Sequence, residues 1–348
     1  MWQVIGQDKA VSLLKRGLES WRLAHAYLIT GPEFVGKMTL AKNLAQALNC
    51  EAPEKPCLQC NPCKKIGEMR HADVQVTGLQ KGDETESKLI GIDQIKEMQH
   101  AASMPPFEGK HKVFIIRNAE LLSLDAANRL LKTLEEPIEN VTFILLTIND
   151  KLLPLTVISR CQRIELAPLS IAAETAALTE KGIEPQRARL LAGLSHGCPE
   201  WALAAHKDDS LLQERDEELD KIFNAVKTDF VERFAYAATL ASHFSGDRAY
   251  VYGVLDLWRD LWRDLMLQKL GRDDMIINID QKEALAEMAA RYGVGEIKEF
   301  IGAIQAAGEQ LRQNANARLA LEVMMLDIPV KEGGQQDVSK SLAADMGR

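Results

Sequence analysis

The sequence predicts an α/β protein whose N-terminal half folds as a parallel sheet with helices on both faces. Short apolar stretches typical of buried strands recur at 26–30, 73–79, 112–116, 142–148 and 163–167. Helical periodicity fills the segments between them, at about 7–20, 37–49, 91–104 and 124–135. Such alternation favours a parallel sheet, because parallel strands require long crossover connections, usually helices.

The strand pattern stops near the middle of the chain, and helical patterns follow. Residues 170–207 predict three short helices, interrupted by glycine and proline. Long amphipathic periods predict helices from about 209 to 327, where Trp258 and Trp262 lie one turn apart as core or subunit-interface anchors. The polar stretch 331–348 predicts a loose tail.

Composition excludes several classes of protein. The chain has 348 residues, 46% hydrophobic and 26% charged, with a net charge of −8. These values are ordinary for a globular protein of two or three domains, and the acidic total disfavours a protein that binds DNA tightly by itself. There is no uninterrupted apolar run long enough for a membrane span, and the N-terminus lacks a signal-peptide pattern, so we expect a cytoplasmic protein without membrane partners.

A phosphate-binding loop is predicted directly after the first strand, where the sequence reads "GPEFVGKMT". Gly31, Gly36 and Lys37 match G-x-x-x-x-G-K between a strand and a helix, the context in which backbone N–H groups cradle phosphates. The next residue should carry a hydroxyl that binds Mg²⁺, but it is Met38, and Thr39 comes one position late. The magnesium ligand of this motif is therefore missing.

A second departure lies after the strand "VFII", where nucleotide hydrolases often place acids that hold Mg²⁺ and activate water. Here Arg117 and Asn118 occupy these positions, and an amide cannot accept a proton at neutral pH. Together with Met38, these departures predict that the site does not hydrolyse nucleotide. Because Lys37 can still contact phosphate, nucleotide binding without turnover remains open, as does a relic loop that only packs the turn.

Four cysteines predict a metal site. Cys50, Cys57, Cys60 and Cys63 have C-x6-C-x2-C-x2-C spacing, which suits a tetrahedral Zn²⁺. Four thiolates leave no position for water, so we expect a structural zinc rather than a catalytic one. The alternatives are a set of free or redox-active thiols, and a zinc-dependent nucleic-acid module, which the acidic charge disfavours.

The segment "TVISRCQR" places Arg160 at the predicted edge of the sheet, where a neighbouring subunit can dock. An arginine supplied in trans can stabilise the charge that develops on a transferring phosphoryl group. The alternative is an ordinary surface arginine. The preceding strand would carry Thr147 and Asn149 towards the terminal phosphate of a nucleotide.

Several motifs occur in one order along the chain: "HAYLITGP", the cysteine cluster, "PFEGKHKVFII", "LLKTLEEP", "SRC" and "NANARLALEVMML". Together they closely resemble the subunits of the bacterial DNA polymerase III clamp loader, an AAA+ family. The resemblance covers about residues 2–329. It implies an AAA+ (RecA-like) domain at 1–168 with a zinc module inserted at 50–71, a three-helix lid at 169–207, an all-α collar for oligomerisation at 208–329 and a flexible tail at 330–348.

The family contains two relevant kinds of subunit. The gamma/tau motor has complete nucleotide motifs and hydrolyses ATP, whereas the delta prime kind often has degraded motifs but keeps Ser-Arg-Cys. Met38, Arg117 and Asn118 make this chain resemble the second kind. So does Glu200 in "GCPEWAL", which stands where motor subunits carry a nucleotide-sensing arginine and would repel phosphates.

The resemblance implies a non-hydrolysing stator that supplies Arg160 to its neighbour's ATP and helps to load the sliding clamp onto primed DNA. The implied partners are gamma/tau and delta subunits, the clamp and, through the complex, DNA. The chain would then be a component of the DNA polymerase III holoenzyme without an ATPase activity of its own. The alternative is an ATP-hydrolysing gamma/tau motor, which Lys37 favours.

Overall fold

The computed structural model describes residues 2–20, 22–79 and 89–329. The predicted tail at 330–348 lies outside these residues. Contacts divide the chain into two compact units, Met1–Ala204 and Ala205–Arg348, which are described separately. No helix in the described residues is both long and apolar enough to cross a bilayer.

The first unit is built on a five-stranded sheet with the order β2-β3-β4-β1-β5, and every pairing is parallel. Its strands are β1 (Ala26–Thr30), β2 (Val74–Thr77), β3 (Lys112–Ile116), β4 (Val141–Thr147) and β5 (Gln162–Glu165). β1, β3 and β4 are buried along their whole length, which is why their sequences are continuous apolar runs. The predicted parallel sheet is confirmed.

Helices cover both faces of this sheet. They are α1 (Asp8–Glu19), α2 (Lys37–Asn49), α3 (Asn61–Gly67), α4 (Ile92–Ser103), α5 (Leu124–Glu135) and α6 (Leu155–Ile158). Alternate residues of β1 point to opposite faces: Tyr27 and Ile29 join one hydrophobic cluster, whereas Ala26 and Leu28 join the other. The two cores fix the sheet between the helical layers.

Three short helices follow the sheet, as predicted, namely α7 (Ile171–Glu180), α8 (Pro185–Leu194) and α9 (Pro199–Lys207). Side chains define where the first two begin. The Ser170 hydroxyl accepts a hydrogen bond from the backbone of Ala173 at 3.2 Å, and the Glu184 carboxylate accepts one from Arg187 at 2.9 Å.

The second unit is helical throughout the residues described. Its helices are α10 (Ser210–Lys227), α11 (Phe230–Phe244), α12 (Arg248–Lys269), α13 (Lys282–Arg291), α14 (Val294–Arg312) and α15 (Ala317–Leu326). Trp258 and Trp262 are fully buried on α12, with ring centroids 5.6 and 4.4 Å from that of Phe300. They are core residues of this unit, one of the two roles predicted for them.

Candidate functional site

A cavity of 280 Å³ lies at the carboxyl edge of the sheet, where β1, β3 and β4 end. Ligands bind at this edge in open parallel sheets. The wall contains six of the residues that the sequence singled out and four that it did not. Its residues are Glu33, Phe34, Lys37, Met38, Arg117, Asn118, Leu146, Thr147, Ile148 and Glu200.

The predicted phosphate loop forms the floor of this cavity. A Cβ atom at Gly31 would lie 2.5 Å from the carbonyl oxygen of Leu166, so only glycine lets the chain pass β5 so closely. Gly36 has a φ of 110° and immediately precedes α2, which starts at Lys37. The loop-to-helix geometry therefore keeps the form that presents backbone N–H groups to an anion.

The ammonium of Lys37 is turned onto its own loop. It donates a hydrogen bond of 2.6 Å to the carbonyl of Gly31 and another to the carbonyl of Pro32. Burial lowers the pKa of Lys37, and the nearby carboxylates of Glu33 and Glu200 act in the opposite direction. Two of the three N–H donors of this ammonium are thus already directed at carbonyl oxygens of the same chain.

The residues that follow Lys37 cannot supply a magnesium ligand to the cavity. Met38 lines the wall with a thioether. The hydroxyl of Thr39 donates a hydrogen bond to the carboxylate of Glu200 on α9, and the backbone N–H of Glu200 donates to the Phe34 carbonyl at 3.1 Å. Sequence reasoning identified Glu200 as unfavourable for phosphate but did not find this bond.

Arg117 and Asn118 follow β3 and both line the cavity. The backbone N–H of Arg117 donates to the carbonyl of Thr77 at 2.7 Å, which extends the β2–β3 ladder by one step. Asn118 has a φ of 51°, in the left-handed region that asparagine tolerates better than most residues. A cation and an amide thus occupy the positions expected to be acidic in a hydrolase.

The two polar residues at the end of β4 have different roles. Thr147 is fully buried and lines the cavity. Asn149 is not part of the wall. Its side-chain oxygen accepts a hydrogen bond from the backbone of Lys151 at 3.1 Å and caps a short 3-10 helix, Asp150–Leu152. Only Thr147 is therefore placed to face a ligand in the cavity.

Arg160 lies just beyond α6 and is partly exposed. Its guanidinium donates at 2.9 Å to the Thr156 carbonyl and forms an ion pair of 2.6 Å with Glu135, the last residue of α5. The Glu135 side chain is 50% exposed. Exposed ion pairs contribute only about 0–1 kcal/mol, so little free energy holds Arg160 in this position.

The four predicted metal ligands come together. The sulfur atoms of Cys50, Cys57, Cys60 and Cys63 all lie within 4.8 Å of one another. Tetrahedral zinc with bonds of about 2.3 Å places its sulfurs about 3.8 Å apart, so this cluster needs only a small contraction to bind a metal ion. The short helix α3, which the sequence did not predict, carries Cys63 into the cluster.

The surroundings of Cys57 and Cys63 act on their thiols in opposite directions. Backbone N–H groups of Cys60 and Gln59 lie 3.3 and 3.5 Å from the Cys57 sulfur and lower its pKa to about 6. Burial raises the pKa of Cys63. A metal ion is the usual means of keeping such a buried sulfur as a thiolate, and these residues fit that role.

Cys161 and Cys198, the two cysteines outside the cluster, are packing residues. Cys198 is buried in the hydrophobic cluster on one face of the sheet, and Cys161 packs against the cluster on the other face. Burial raises the pKa of Cys161 to about 12, so its thiol stays protonated at neutral pH.

Comparison with known proteins finds sequence similarity to subunits of bacterial DNA polymerase III. The family described as "DNA polymerase III, delta subunit" matches residues 6–170. The DNA polymerase III subunit delta′ of Bacillus subtilis is 28% identical over 321 residues, which cover 92% of this chain and 95% of that protein.

Two further comparisons cover different shares of the chain. The tau subunit of Bacillus subtilis is 39% identical over 164 residues, but the match covers 47% of this chain and 28% of tau. A gamma-subunit-related protein of Thermotoga maritima has a solved structure that aligns with a TM-score of 0.45 at 18% identity, over 92% of this chain and 98% of that one. The chain is therefore similar to the delta′ subunit of bacterial DNA polymerase III along nearly the whole of its length, and the delta-subunit family model matches its N-terminal half up to residue 170.

Proposed function

We propose that this chain is the non-hydrolysing, delta′-type subunit of a clamp loader and supplies Arg160 to the ATP site of a neighbouring subunit. The observation that carries the proposal is the contrast between two places in the first unit. The cavity above the phosphate loop has a cation where a magnesium-binding acid is needed, whereas the Ser-Arg-Cys segment presents an intact guanidinium near the sheet edge.

The composition of the cavity supports a subunit without turnover. Hydrolysis requires a metal bridging the outer phosphates and a group that orients water. Met38, Arg117 and Asn118 provide neither, and Glu200 adds a negative charge to the wall. Phosphate would have to displace the carbonyl partners of Lys37 and approach Glu200, so we also propose that the cavity is normally without nucleotide.

The surroundings of Arg160 support a role in trans. An arginine finger must leave its resting partner when a phosphate arrives, and a pair as exposed as Arg160–Glu135 can exchange at small cost. A transferring phosphoryl group carries more charge than one carboxylate and accepts a bidentate guanidinium. Glu135 would then hold Arg160 ready between cycles.

The remaining parts of the proposal follow from this role. The partners are gamma/tau and delta subunits, the sliding clamp and, through the assembly, primed DNA in the cytoplasm. Residues 208–329 act as the collar, and α7–α9 form the lid. The four-cysteine cluster holds a structural Zn²⁺, since four sulfurs leave no open ligand position for chemistry.

An ATP-hydrolysing motor is the competing assignment, and the higher identity to tau favours it. That identity covers only about half of this chain. It is an average over 164 residues, of which only a few would bind Mg²⁺ in a motor subunit. The side chains of Met38, Arg117 and Asn118 are what separate the two kinds of subunit, and all three line the cavity. They favour the stator.

The deciding experiment measures ATP turnover by the isolated chain and by the complex reconstituted with motor and delta subunits. We expect no Mg²⁺-dependent turnover from the isolated chain. Arg160→Ala should slow hydrolysis at the neighbouring site by about 10³-fold, as other trans arginines do. Arg163→Ala is the matched control, because this nearby arginine pairs with Asp150 of its own chain at 2.8 Å. Unchanged turnover with Arg160→Ala, or turnover by the isolated chain that Lys37→Ala abolishes, would overturn the proposal.

A further inference from the structure

A second cavity, of 370 Å³, lies at the opposite edge of the sheet, where the strands begin. His25 comes just before β1, and Lys110 and His111 come just before β3, so three basic side chains meet at this edge. The volume is in the range of small-molecule sites, about 300–1,000 Å³. Nothing in the clamp-loader role described above uses this cavity.

The charge of the wall has one sign. All its titratable side chains are basic: His25, Lys55, Lys110 and His111. Burial lowers the pKa of His111, and the positive charges of Lys55 and Lys110 lower it further, so the two lysines carry the positive charge of this wall. The wall is thus electrostatically suited to an anion.

The basic residues are held in place by one buried amide. The side-chain oxygen of Asn49, at the end of α2, accepts hydrogen bonds from the backbone of Lys110 and His111 at 2.9 and 3.0 Å. Its amide group donates to the His111 carbonyl at 3.1 Å. The close approach requires Gly109, where a Cβ atom would lie 2.5 Å from the Asn49 oxygen. Such preorganisation lowers the entropic cost of binding.

One polar atom of the wall has no partner. Nδ1 of His111 is buried, and it makes no hydrogen bond within the described part of the chain. By contrast, Nε2 of His25 donates to the carbonyl of Leu134 at 2.9 Å. A buried ring nitrogen without a partner is costly unless a ligand or water satisfies it, so His111 offers a hydrogen bond to a molecule in the cavity.

The rest of the wall is largely apolar, with Leu18, Leu48 and Ile138 among its residues. An adjoining cavity of 450 Å³ shares Leu18 and Lys55 but also contains Glu19 and Glu54, so its wall has no preference for one sign of charge. Of these two adjoining cavities, the one at Lys110 and His111 therefore combines apolar walls with basic groups alone.

We propose that this cavity binds a small organic anion, a carboxylate or phosphate ester attached to an apolar body. The acidic group contacts Lys110 and His111, and the apolar body lies against Leu48 and Ile138. A concave site of this volume, lined by separate segments of the chain, suits a small molecule better than a protein surface.

Titration of the full chain, labelled with ¹⁵N in its histidine rings, tests this site by NMR. The probes are phenyl phosphate and benzoate, compared with benzyl alcohol and benzylamine, which have the same ring without negative charge. We expect the two anions to shift the His111 resonance saturably and the other two to leave it in place. Lys110→Met should weaken phenyl phosphate binding on the order of tenfold, the effect of losing one charged hydrogen bond, and Lys110→Arg should restore it.

Lys37→Ala controls for binding at the phosphate loop and should leave the His111 shift intact. Equal affinity for benzyl alcohol or benzylamine would overturn the proposal, and so would the absence of any shift. An unchanged affinity for phenyl phosphate in Lys110→Met would also overturn it. If Lys110→Met fails to fold, the comparison of charged and uncharged probes on the unmodified chain still decides.

Discussion

The hydroxyl of Thr39 on α2 donates a hydrogen bond to the carboxylate of Glu200 on α9. A second bond, from the backbone N–H of Glu200 to the Phe34 carbonyl at 3.1 Å, joins α9 to the phosphate loop that precedes α2. The third short helix is therefore fastened to the phosphate loop by atoms of the chain itself.

Glu200→Gln should increase affinity for nucleotide. The substitution keeps an oxygen that can accept from Thr39 but removes one of the two carboxylates of the cavity wall, the other being Glu33. A unit charge near phosphate contributes several kcal/mol at an effective dielectric constant of about 20, so a gain of at least about tenfold is expected. Fluorescence titration of the full chain with trinitrophenyl-ATP in metal-free buffer measures it.

Thr39→Val separates the hydrogen bond from the charge. It breaks the bond to Glu200 but leaves the carboxylate in the wall, so affinity for trinitrophenyl-ATP should stay within about twofold of the unmodified chain. If Thr39→Val raises affinity as much as Glu200→Gln does, the hydrogen bond between Thr39 and Glu200, rather than the charge of Glu200, keeps nucleotide out. If neither changes it, Glu200 has no part in exclusion.

Glu135→Gln should change the action of Arg160 without removing it. The substitution replaces the carboxylate that pairs with the guanidinium at 2.6 Å, so Arg160 no longer leaves an ion pair when it turns towards a neighbour. Because an exposed pair is worth about 0–1 kcal/mol, hydrolysis at the neighbouring site should rise up to about fivefold. Single-turnover ATP hydrolysis by the reconstituted complex measures the change.

Glu136→Gln serves as the control, since the adjacent carboxylate is not paired with Arg160 in the described structure. A fall in the hydrolysis rate with Glu135→Gln, to the level of Arg160→Ala, would show that Glu135 positions the finger for attack. The hypothesis of a resting partner would then be wrong.

The strands of the sheet could be predicted from the sequence because burial on both faces makes parallel strands continuous apolar runs. β1 and β3 have the predicted ends, and β4 is displaced by one residue. The helix α3 was not predicted because Asn61–Gly67 is too short to show helical periodicity. Its cysteine and proline instead indicated a loop that binds a metal ion.

The polar contacts of the site could not be predicted in the same way. Thr39 and Glu200 are separated by 161 positions, and only the folded chain brings them together. Glu135 lies within a recognised motif, but no spacing rule links it to Arg160. The loss of the magnesium ligand at Met38 could be recognised because it breaks a local sequence pattern. The hydrogen bond between Thr39 and Glu200 could not, because it forms between distant parts of the chain.

Removal of metal should loosen the cysteine segment while leaving the sheet intact. The four sulfurs lie within 4.8 Å of one another, and the region around Cys57 has little apolar burial to hold it without an ion. Chelation, or Cys57→Ser, should release one equivalent of zinc and raise hydrogen exchange across residues 50–71. Elemental analysis and mass spectrometry measure the two effects.

Cys161→Ser is the matched control and should retain the metal, because Cys161 lies outside the cluster and packs against the other face of the sheet. Full retention of zinc in Cys57→Ser would show that Cys57 is not a ligand. Loss of zinc without a rise in exchange at 50–71 would contradict a structural role for the ion.

Glu174 on α7 should make the stability of the three short helices depend on pH. Its side chain is fully buried, the Ser195 hydroxyl donates to one carboxylate oxygen at 2.7 Å, and the other oxygen has no hydrogen-bond partner in the described residues. Burial raises the pKa of this carboxyl from 4.5 to about 7, although the Ser195 bond and His196 lower it. The native state therefore holds a proton that the unfolded chain has released.

Between these two pKa values the folded state binds more protons, so stability is highest below about pH 4.5 and falls as the pH rises through about 7. The full effect is on the order of 3 kcal/mol. Glu174→Gln keeps an acceptor for Ser195 and should abolish this slope, whereas Glu180→Gln, at the exposed end of α7, should not. Hydrogen exchange of residues 171–207 at pH 5.5 and 7.5, corrected for intrinsic rates, measures this change of stability with pH. If Glu174→Gln shows the same change as the unmodified chain, another group titrates.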